Sequence, residues 1–327
     1  NDFRSSRVDS WYISTQRELL RGTIVDVAYV GNRANGLLQF ANFNQARPNN
    51  AGENVPLQAR RPIASFGDIT YAWNGGRSDY HGFQLKTETR GRGLVFVNAL
   101  TLSRARDSGA GSLENPNGNS PAVQDINDVD AEYGLSGYNQ PYNWTSSLVW
   151  DVPVGRDRAY LGGLPAWAHA VLGGWQVAFI SLLNAGDPVT FTYTPTAQGQ
   201  VSGITADFRG ANNYRPNVSG DPMGDGSIGN YFNRAAFSIP PTSSPFGNAE
   251  RNTVRGPLFW SVDFALQKRF RLPVGPRTNI EVRGEAFNLF NRTNFGAPNG
   301  NLSANAFGTI TGTFDARQVQ LGLRVTF

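Results

Sequence analysis

The chain has 327 residues, no cysteine and a formal net charge of +4 at pH 7. The missing cysteines exclude a disulfide framework and a thiolate metal site, and the scattered arginines exclude the basic runs of a nucleic-acid-binding surface. Gly and aromatic residues are abundant, so composition favours strands and turns over helices. Mean hydropathy is negative at −0.37, as in a polar soluble β-protein or in a transmembrane β-barrel, where only alternate residues face lipid.

Strands are predicted wherever apolar and polar residues alternate with a period of two. In chain order, the predicted strand pairs are 10–20 with 23–31, 79–90 with 94–104, 142–152 with 175–183, and 258–270 with 278–290, followed by a last strand at 317–327. Several of these strands approach the ~9–11 residues that a strand needs to cross a bilayer. Extended segments are also predicted at 67–73 and 189–193, and a short helix at 166–172.

The connections between these strands alternate in length. The shorter ones are 20–22, 91–93, 153–174 and 271–277, and the long ones are 32–77, 105–140, 185–256 and 291–314. If Phe327 marks the periplasmic end, each shorter connection falls on the periplasmic side and each long loop outside, as in outer-membrane barrels. The prediction is an all-β fold: a partial antiparallel transmembrane β-barrel of about nine to twelve long strands, with short periplasmic turns and long extracellular loops.

The alternation also assigns side chains to the two faces of the barrel wall. Polar side chains are predicted to face the lumen, at Asp263, Gln267, Glu281, Arg283, Glu285, Gln318, Gln320 and Arg324. Aromatic side chains near strand ends are predicted to form the membrane-interface girdles, at Trp150, Trp175, Trp260, Phe270 and Phe327. Outer-membrane lipid is therefore an expected partner. The apolar stretch 166–183 contains Gly173 and Gly174, and its second half fits a strand, so it is not interpreted as a membrane-spanning helix.

No residue set argues for catalysis or for a cofactor. His81 and His169 lie far apart in sequence, and neither belongs to a metalloprotease or hydrolase motif. The segment 224–229 has the spacing G-x-G-x-x-G, but it lies in a loop instead of between a strand and a helix, so a dinucleotide site is not expected. Oxygen-rich side chains at Asp125, Asp128, Asp130 and Glu132 make that loop a candidate calcium site, and a solvated acidic loop is the alternative.

Several segments resemble one protein family. They include GTIVDVAYVGNR at 22–33, YNWTSSLVWDVPVGRDR at 142–158, FGNAERNTVRGPLFWSVDFALQKRF at 246–270, EVRGEAFNLFNRTNFGAPN at 281–299 and the terminal LGLRVTF. In this order they resemble the C-terminal half of the barrel of TonB-dependent outer-membrane receptors, most of all the Oar-like branch with an N-terminal carboxypeptidase-regulatory-like domain. The resemblance implies that residues 1–327 are the C-terminal portion of one barrel domain, with the plug and N-terminal domains outside this chain.

The function that the resemblance implies is energy-coupled uptake of a large or scarce ligand across the outer membrane of a Gram-negative bacterium. The ligand is an unknown oligosaccharide, peptide, protein or chelate, and TonB would act through the N-terminal part. Asn1 is not a start methionine, so the chain is expected to be a piece of a longer protein or a processed form. Two other functions remain open: a passive barrel, either a porin or an adhesin, and a soluble β-rich binding protein. Neither an enzyme nor a nucleic-acid partner is expected.

Overall fold

The computed structural model describes residues 5–50, 53, 55–109, 123–156, 158–194, 214–241, 243–271 and 278–327. Nine long strands lie side by side in chain order in one antiparallel sheet. They are β1 Arg7–Leu20, β2 Thr23–Asn42, β3 Thr70–Gly91, β4 Leu94–Asp107, β5 Tyr142–Asp151, β6 Trp175–Asn184, β7 Phe259–Arg271, β8 Asn279–Phe287 and β9 Gln318–Thr326. A short tenth strand, Gly134–Leu135, pairs with β4. The sheet is open between β1 and β9, and the predicted all-β antiparallel fold is confirmed.

The smaller elements lie in the connections. The helix α1 spans Ala166–Leu172, as predicted, and single 3₁₀ turns lie at Leu57–Arg60, Val129–Glu132 and Arg234–Ala236. Three further strand pairs join Pro188–Val189 to Val254–Arg255, Asn217–Val218 to Phe237–Ser238, and Met223–Ser227 to Asn230–Phe232. No helix among the residues that the structure describes is long and apolar enough to span a membrane.

The sheet has one polar and one apolar face over most of its width. Directly paired residues lie on the same face, and Leu266 is paired with Val177 on β6 while its neighbour Gln267 is paired with Gln176 and Arg283. The apolar face is open to the surroundings rather than covered by a second layer, since Leu321 is 84% exposed and Leu323 is 71% exposed. Such a one-sided sheet suits a barrel wall between lipid and a polar interior.

The connections of the sheet alternate in length, as the sequence predicts. Residues 21–22, 92–93, 152–174 and 272–278 connect strands at one end, and residues 43–69, 108–141, 185–258 and 288–317 connect them at the other. The sequence prediction, by which short turns are periplasmic and long loops lie outside, makes the first end periplasmic and the second extracellular, and the two ends are named accordingly below.

Two predicted boundaries are wrong in instructive ways. The loop predicted at 32–77 is shorter, because β2 continues to Asn42 and β3 already begins at Thr70. These strands have 20 and 22 residues, more than the ~9–11 that cross a bilayer, so they extend beyond it. The extended segment predicted at 189–193 does not prolong β6, because Pro188–Val189 pairs with Val254–Arg255 instead.

Candidate functional site

The described residues of the four long connections fold together into one body, here called the cap: 43–69, 108–141, 185–258 and 288–317. The cap has its own apolar core, formed by Val189, Phe191, Tyr193, Tyr214, Phe232, Ala236, Phe237, Val254, Leu302 and Phe307. These residues come from the connections after β6 and β8. The described parts of these two connections are therefore packed around a core, because the burial of aromatic side chains stabilises them.

Aromatic contacts hold the centre of the cap core together. Phe191 lies 4.9 Å from Phe232 in an edge-on arrangement and 4.3 Å from Phe237, measured between ring centroids. Tyr193 is fully buried, and its hydroxyl donates a 2.6 Å hydrogen bond to the Pro245 carbonyl oxygen. Burial raises the pKa of the Tyr193 phenol, so the neutral, hydrogen-bonded form persists at any physiological pH.

Polar contacts join three of the four connections. The carboxylate of Glu132 and the guanidinium of Arg215 form a buried ion pair at 2.8 Å. Gln124 lies beside it: its backbone N–H donates to Glu132, and its side-chain oxygen accepts from the Arg215 backbone N–H at 2.7 Å. The Gln45 amide nitrogen donates to the Gln124 carbonyl oxygen at 2.9 Å. The cap surface is therefore held in place by contacts among three connections.

The cap is also anchored to the sheet. Arg251 donates to the carboxylate of Asp107, at the outer end of β4, and to the Glu132 carbonyl oxygen. Within the cap, next to this anchor, Arg255 donates to the carbonyl oxygens of Asn139 and Gly186 at 2.9 and 3.0 Å. Burial lowers the pKa of Arg255, and these two carbonyl groups partly replace the water that its guanidinium loses.

The candidate calcium site is not formed. The four carboxylates predicted to share a cation go to separate partners: Asp125 accepts from Asn127, Asp128 accepts from the Ala131 backbone, Asp130 pairs with Arg77, and Glu132 pairs with Arg215. Among the residues that the structure describes, no group of three or more His, Cys, Asp or Glu side chains is placed to hold a metal ion. The four carboxylates do not converge in this arrangement, because arginines and amide groups take up their oxygens, and this favours the alternative of a solvated acidic loop.

The glycine-rich segment and the histidines have structural surroundings. Residues 224–229 lie in the hairpin of Met223–Ser227 and Asn230–Phe232, and no helix follows them there. Hydrogen bonds from Ser227 lower the pKa of Asp225 in this hairpin. His81 lies on β3, where its ring nitrogen Nδ1 is 2.7 Å from the Tyr29 hydroxyl, while His169 lies in α1. The two histidines therefore do not share a site.

The eight residues predicted to face the lumen all lie on the polar face, as their strand pairing requires. Charged neighbours on this face form ion pairs across and along the strands, between Arg269 and Glu281 at 3.1 Å and between Arg283 and Glu285 at 2.5 Å. Gln320 on β9 donates to Glu285 at 2.5 Å. That this face lines a lumen stays a prediction.

Four of the five residues predicted for the girdles lie on the apolar face, and Phe327 follows the last paired residue of β9. Trp150, Trp175, Phe270 and Phe327 lie at the periplasmic end of the sheet, and Trp260 lies at its outer end. Trp260 stacks on Phe290 with 5.6 Å between ring centroids, and the Arg292 guanidinium lies 5.6 Å from the Trp260 ring. Their contact with lipid headgroups also stays a prediction.

A pocket of about 340 Å³ opens on the polar face where the sheet meets the cap. It is lined by Phe259, Ser261, Asp263, Phe287, Asn288, Asn294, Phe314, Asp315, Ala316 and Gln318. Its volume lies in the usual range of small-ligand sites, ~300–1,000 Å³. The pocket combines three phenyl rings with two carboxylates, one of which, on Asp263, accepts from the Asn288 backbone N–H at 2.9 Å.

Sequence reasoning identified Asp263 and Gln318 but missed the aromatic residues of this pocket. Phe259 and Phe287 occupy positions that the alternation reserves for polar side chains, and Phe314 comes from the cap to meet Phe259 edge-on at 4.9 Å. These two breaks in the alternation are the signal by which the sequence could have indicated the pocket.

Comparison with known proteins gives a family and a set of solved structures. A family model for the outer membrane beta barrel domain matches residues 1–320. No curated protein sequence matches the chain. The outer membrane transporter YddB from Escherichia coli aligns with a TM-score of 0.48 and 11% identity, over 98% of this chain and 33% of that one.

Two other solved structures align over a similar extent. The FrpB iron transporter from Neisseria meningitidis has a TM-score of 0.43 and 15% identity, over 99% of this chain and 32% of that one. The ferripyoverdine receptor of the outer membrane of Pseudomonas aeruginosa has a TM-score of 0.43 and 10% identity, over 97% and 27%. The chain thus spans about a third or less of the length of these structures.

Proposed function

The chain belongs to the outer membrane beta barrel domain family, and from this premise we propose that it forms the C-terminal portion of the barrel of a TonB-dependent receptor. It resides in the outer membrane of a Gram-negative bacterium, with its apolar face toward lipid and the cap outside. This location removes the soluble binding protein from the alternatives. Residues 1–327 are then part of one barrel domain, whose remaining strands, plug and N-terminal domains belong to other parts of the protein.

The pocket under the cap is the observation that carries a receptor function. A passive channel needs an open polar lumen, whereas here the outer end of the polar face carries an aromatic pocket roofed by residues of the connection 288–317. Phe259, Phe287 and Phe314 offer flat apolar surfaces, and Asp263 and Asp315 offer acceptors. This combination suits a ligand with ring faces and hydrogen-bond donors, as in an oligosaccharide, a peptide or an organic chelate.

Energy coupling is the second part of the proposal and rests on the sequence resemblance. In such a receptor a plug domain fills the barrel, and TonB moves it using the inner-membrane proton gradient. The ion pairs of Arg269 with Glu281 and of Arg283 with Glu285 give the wall a charged surface, against which a polar plug would pack without burying unpaired charge. The carboxypeptidase-regulatory-like domain of the Oar-like branch would lie upstream of the plug.

A passive barrel, acting as a porin or an adhesin, is the alternative. A passive barrel would have the same sheet, with one polar and one apolar face, and the same long outer loops. These features therefore do not distinguish the two functions. The discriminating property is whether the barrel is closed by a plug that binds TonB. We assign no catalytic residue and no cofactor under either function.

The test uses the full-length protein purified from outer membranes in detergent. We expect it to bind the periplasmic domain of TonB in a pull-down and to give no steady ion conductance in planar bilayers, because a plug occupies the lumen. Urea at sub-denaturing concentration, which loosens a plug before it unfolds a barrel, should then open conducting channels. Steady ion conductance without urea, together with no binding of the TonB domain, would refute the receptor function and support the passive barrel.

A further inference from the structure

The connection between β5 and β6 differs from the other described connections at the periplasmic end, which have only two residues each, 21–22 and 92–93. It spans residues 152–174 and contains α1. Trp167 is 75% exposed and Val171 is 60% exposed. These two residues are four apart, so they lie on one side of the helix, while Ala168 is buried on another side. Tyr160 and Leu161, just before the helix, are also exposed.

The helix is fixed to the apolar face of the sheet. Lys268 lies on that face and is 5% exposed, and its ammonium group donates to the carbonyl oxygens of Val171, at 3.1 Å, and Gly173. The indole N–H of Trp175, the strand neighbour of Lys268 on that face, donates to the Val171 carbonyl oxygen at 2.9 Å. The ammonium group also lies 4.6 Å from the Trp175 ring and 5.0 Å from the Phe270 ring.

These contacts explain how a helix of only seven residues is held in place. Helices of this length do not persist in water by themselves, because nucleation is costly. Here the orphan carbonyl groups at the C-terminal end receive the Lys268 ammonium and the Trp175 indole N–H, which satisfies them and complements the helix dipole. At the other side, the His169 ring accepts from the Arg156 backbone N–H at 3.1 Å.

We propose that residues 160–172 form a lipid-binding surface, in which Trp167 and Val171 insert into the phospholipid leaflet on the periplasmic side of the outer membrane. The surface continues the apolar face of the barrel wall, which the proposed function places against lipid, and it lies beside Trp175 and Phe270 at the level of the predicted periplasmic girdle. Tryptophan and tyrosine prefer this interface, where the ring is in acyl chains and the polar edge meets headgroups.

The charges beside the helix suit the same occupant. Arg156 and Arg158 are exposed in the connection just before it, and basic side chains next to an inserted apolar surface are attracted to phospholipid phosphates. The proposal depends on the outer-membrane location and does not require that the barrel be coupled to TonB. A failed TonB pull-down therefore leaves it untouched.

The test measures the depth of single spin labels in the full-length protein, reconstituted in bilayers of phosphatidylethanolamine and phosphatidylglycerol. This chain contributes no cysteine, so labelling at Trp167→Cys is selective once any cysteine elsewhere in the full-length protein has been replaced by serine. Leu321→Cys on the apolar face gives the lipid reference, and Ser227→Cys on the exposed cap hairpin gives the aqueous reference. We expect label 167 to show a several-fold higher ratio of oxygen to nickel-chelate collision rates than label 227, and a lower ratio than label 321.

Two outcomes would overturn the proposal. A label at 167 with the nickel-chelate accessibility of label 227 would show that the helix lies in the periplasmic solvent. A label that is shielded in whole cells but accessible in the pure lipid bilayer would show that a protein covers the helix there. Neither outcome depends on a destabilising substitution, because Trp167 is exposed and makes none of the contacts that hold the helix.

Discussion

The buried ion pair between Glu132 and Arg215 is the contact whose loss we expect to weaken the cap most. The two side chains are 6% and 5% exposed, and their charged atoms approach to 2.8 Å. The substitution Glu132→Gln keeps the shape and the acceptor for the Gln124 backbone N–H but leaves the guanidinium buried without its counter-charge. Loss of one partner of a buried pair costs about 3–5 kcal/mol.

Hydrogen exchange measured by mass spectrometry on the full-length protein gives the corresponding readout. Amides of the cap exchange through local opening, so their protection reports the free energy of that opening. Since each 1.4 kcal/mol is a factor of ten, protection across 214–241 should fall by roughly a hundred- to several thousand-fold. Amides of the membrane-spanning strands should be unaffected.

A matched control exists in the same loop. Asp130→Asn removes the ion pair with Arg77, whose side chains are 84% and 49% exposed, and exposed pairs contribute only about 0–1 kcal/mol. Replacement of both members of the buried pair, Glu132→Leu with Arg215→Met, should restore most of the protection because no buried charge remains. If Glu132→Gln changes exchange no more than Asp130→Asn, the reasoning is refuted.

Three further predictions concern the wall and the cap. Leu321→Arg places a charge on the lipid face of β9 at a cost of about 2–4 kcal/mol, so the heat-modifiable band of folded protein should diminish on gels. Gln320→Arg, on the other face, should fold as wild type does. An equal loss of the folded band in both variants would contradict the assignment of faces. Tyr193→Phe leaves a buried carbonyl group without its donor, at about 1–3 kcal/mol, and should speed cleavage of the cap by thermolysin; unchanged cleavage would argue against a buried hydrogen bond. A hydrogen bond from the Arg47 side chain holds the pKa of Glu53 at about 2, below its usual 4.5. The stabilisation that Glu53 gives its loop is therefore present above pH 4.5 and is lost as pH falls toward 2. Hydrogen exchange of the loop amides should show this pH dependence, and Glu53→Gln should abolish it.

The membrane-spanning strands were predictable because lipid imposes the alternation. In β9, Val319, Leu321 and Leu323 have no partner layer and are all exposed, so their apolar character serves the surrounding bilayer. Because the surrounding solvent determines this alternation, a strand can be predicted from its own sequence without knowledge of the neighbouring strands. The same reasoning gave the pairing, since adjacent strands are joined in chain order.

The alternation weakens where the strands leave the membrane. β2 beyond Gly31 reads NRANGLLQFAN and contains two register irregularities against β3. We place this part of β2 outside the bilayer, because the strand is longer than a crossing requires. Small and polar residues are tolerated there, and the sequence therefore resembles a loop. Its partner begins at Thr70, far along the chain, and this distant pairing is what holds it extended.

The cap was not predictable for a related reason. Its core joins Phe191 to Phe237 and Phe307, residues that come from short segments without periodicity. Contacts this far apart in sequence leave no local pattern. The separation of the four acidic side chains of 125–132 has the same origin, because the arginine that pairs with Glu132 lies 83 positions away.

The pocket shows what a break in alternation means once the two faces are known. An apolar side chain on the lipid face needs no explanation, but Phe259 and Phe287 lie on the polar face, where no lipid is available to receive them. Phe314 of the cap provides an apolar surface for Phe259. Phe259 thus marks a place where the cap meets the wall, beside the carboxylate of Asp263, in the pocket where we propose that a ligand binds.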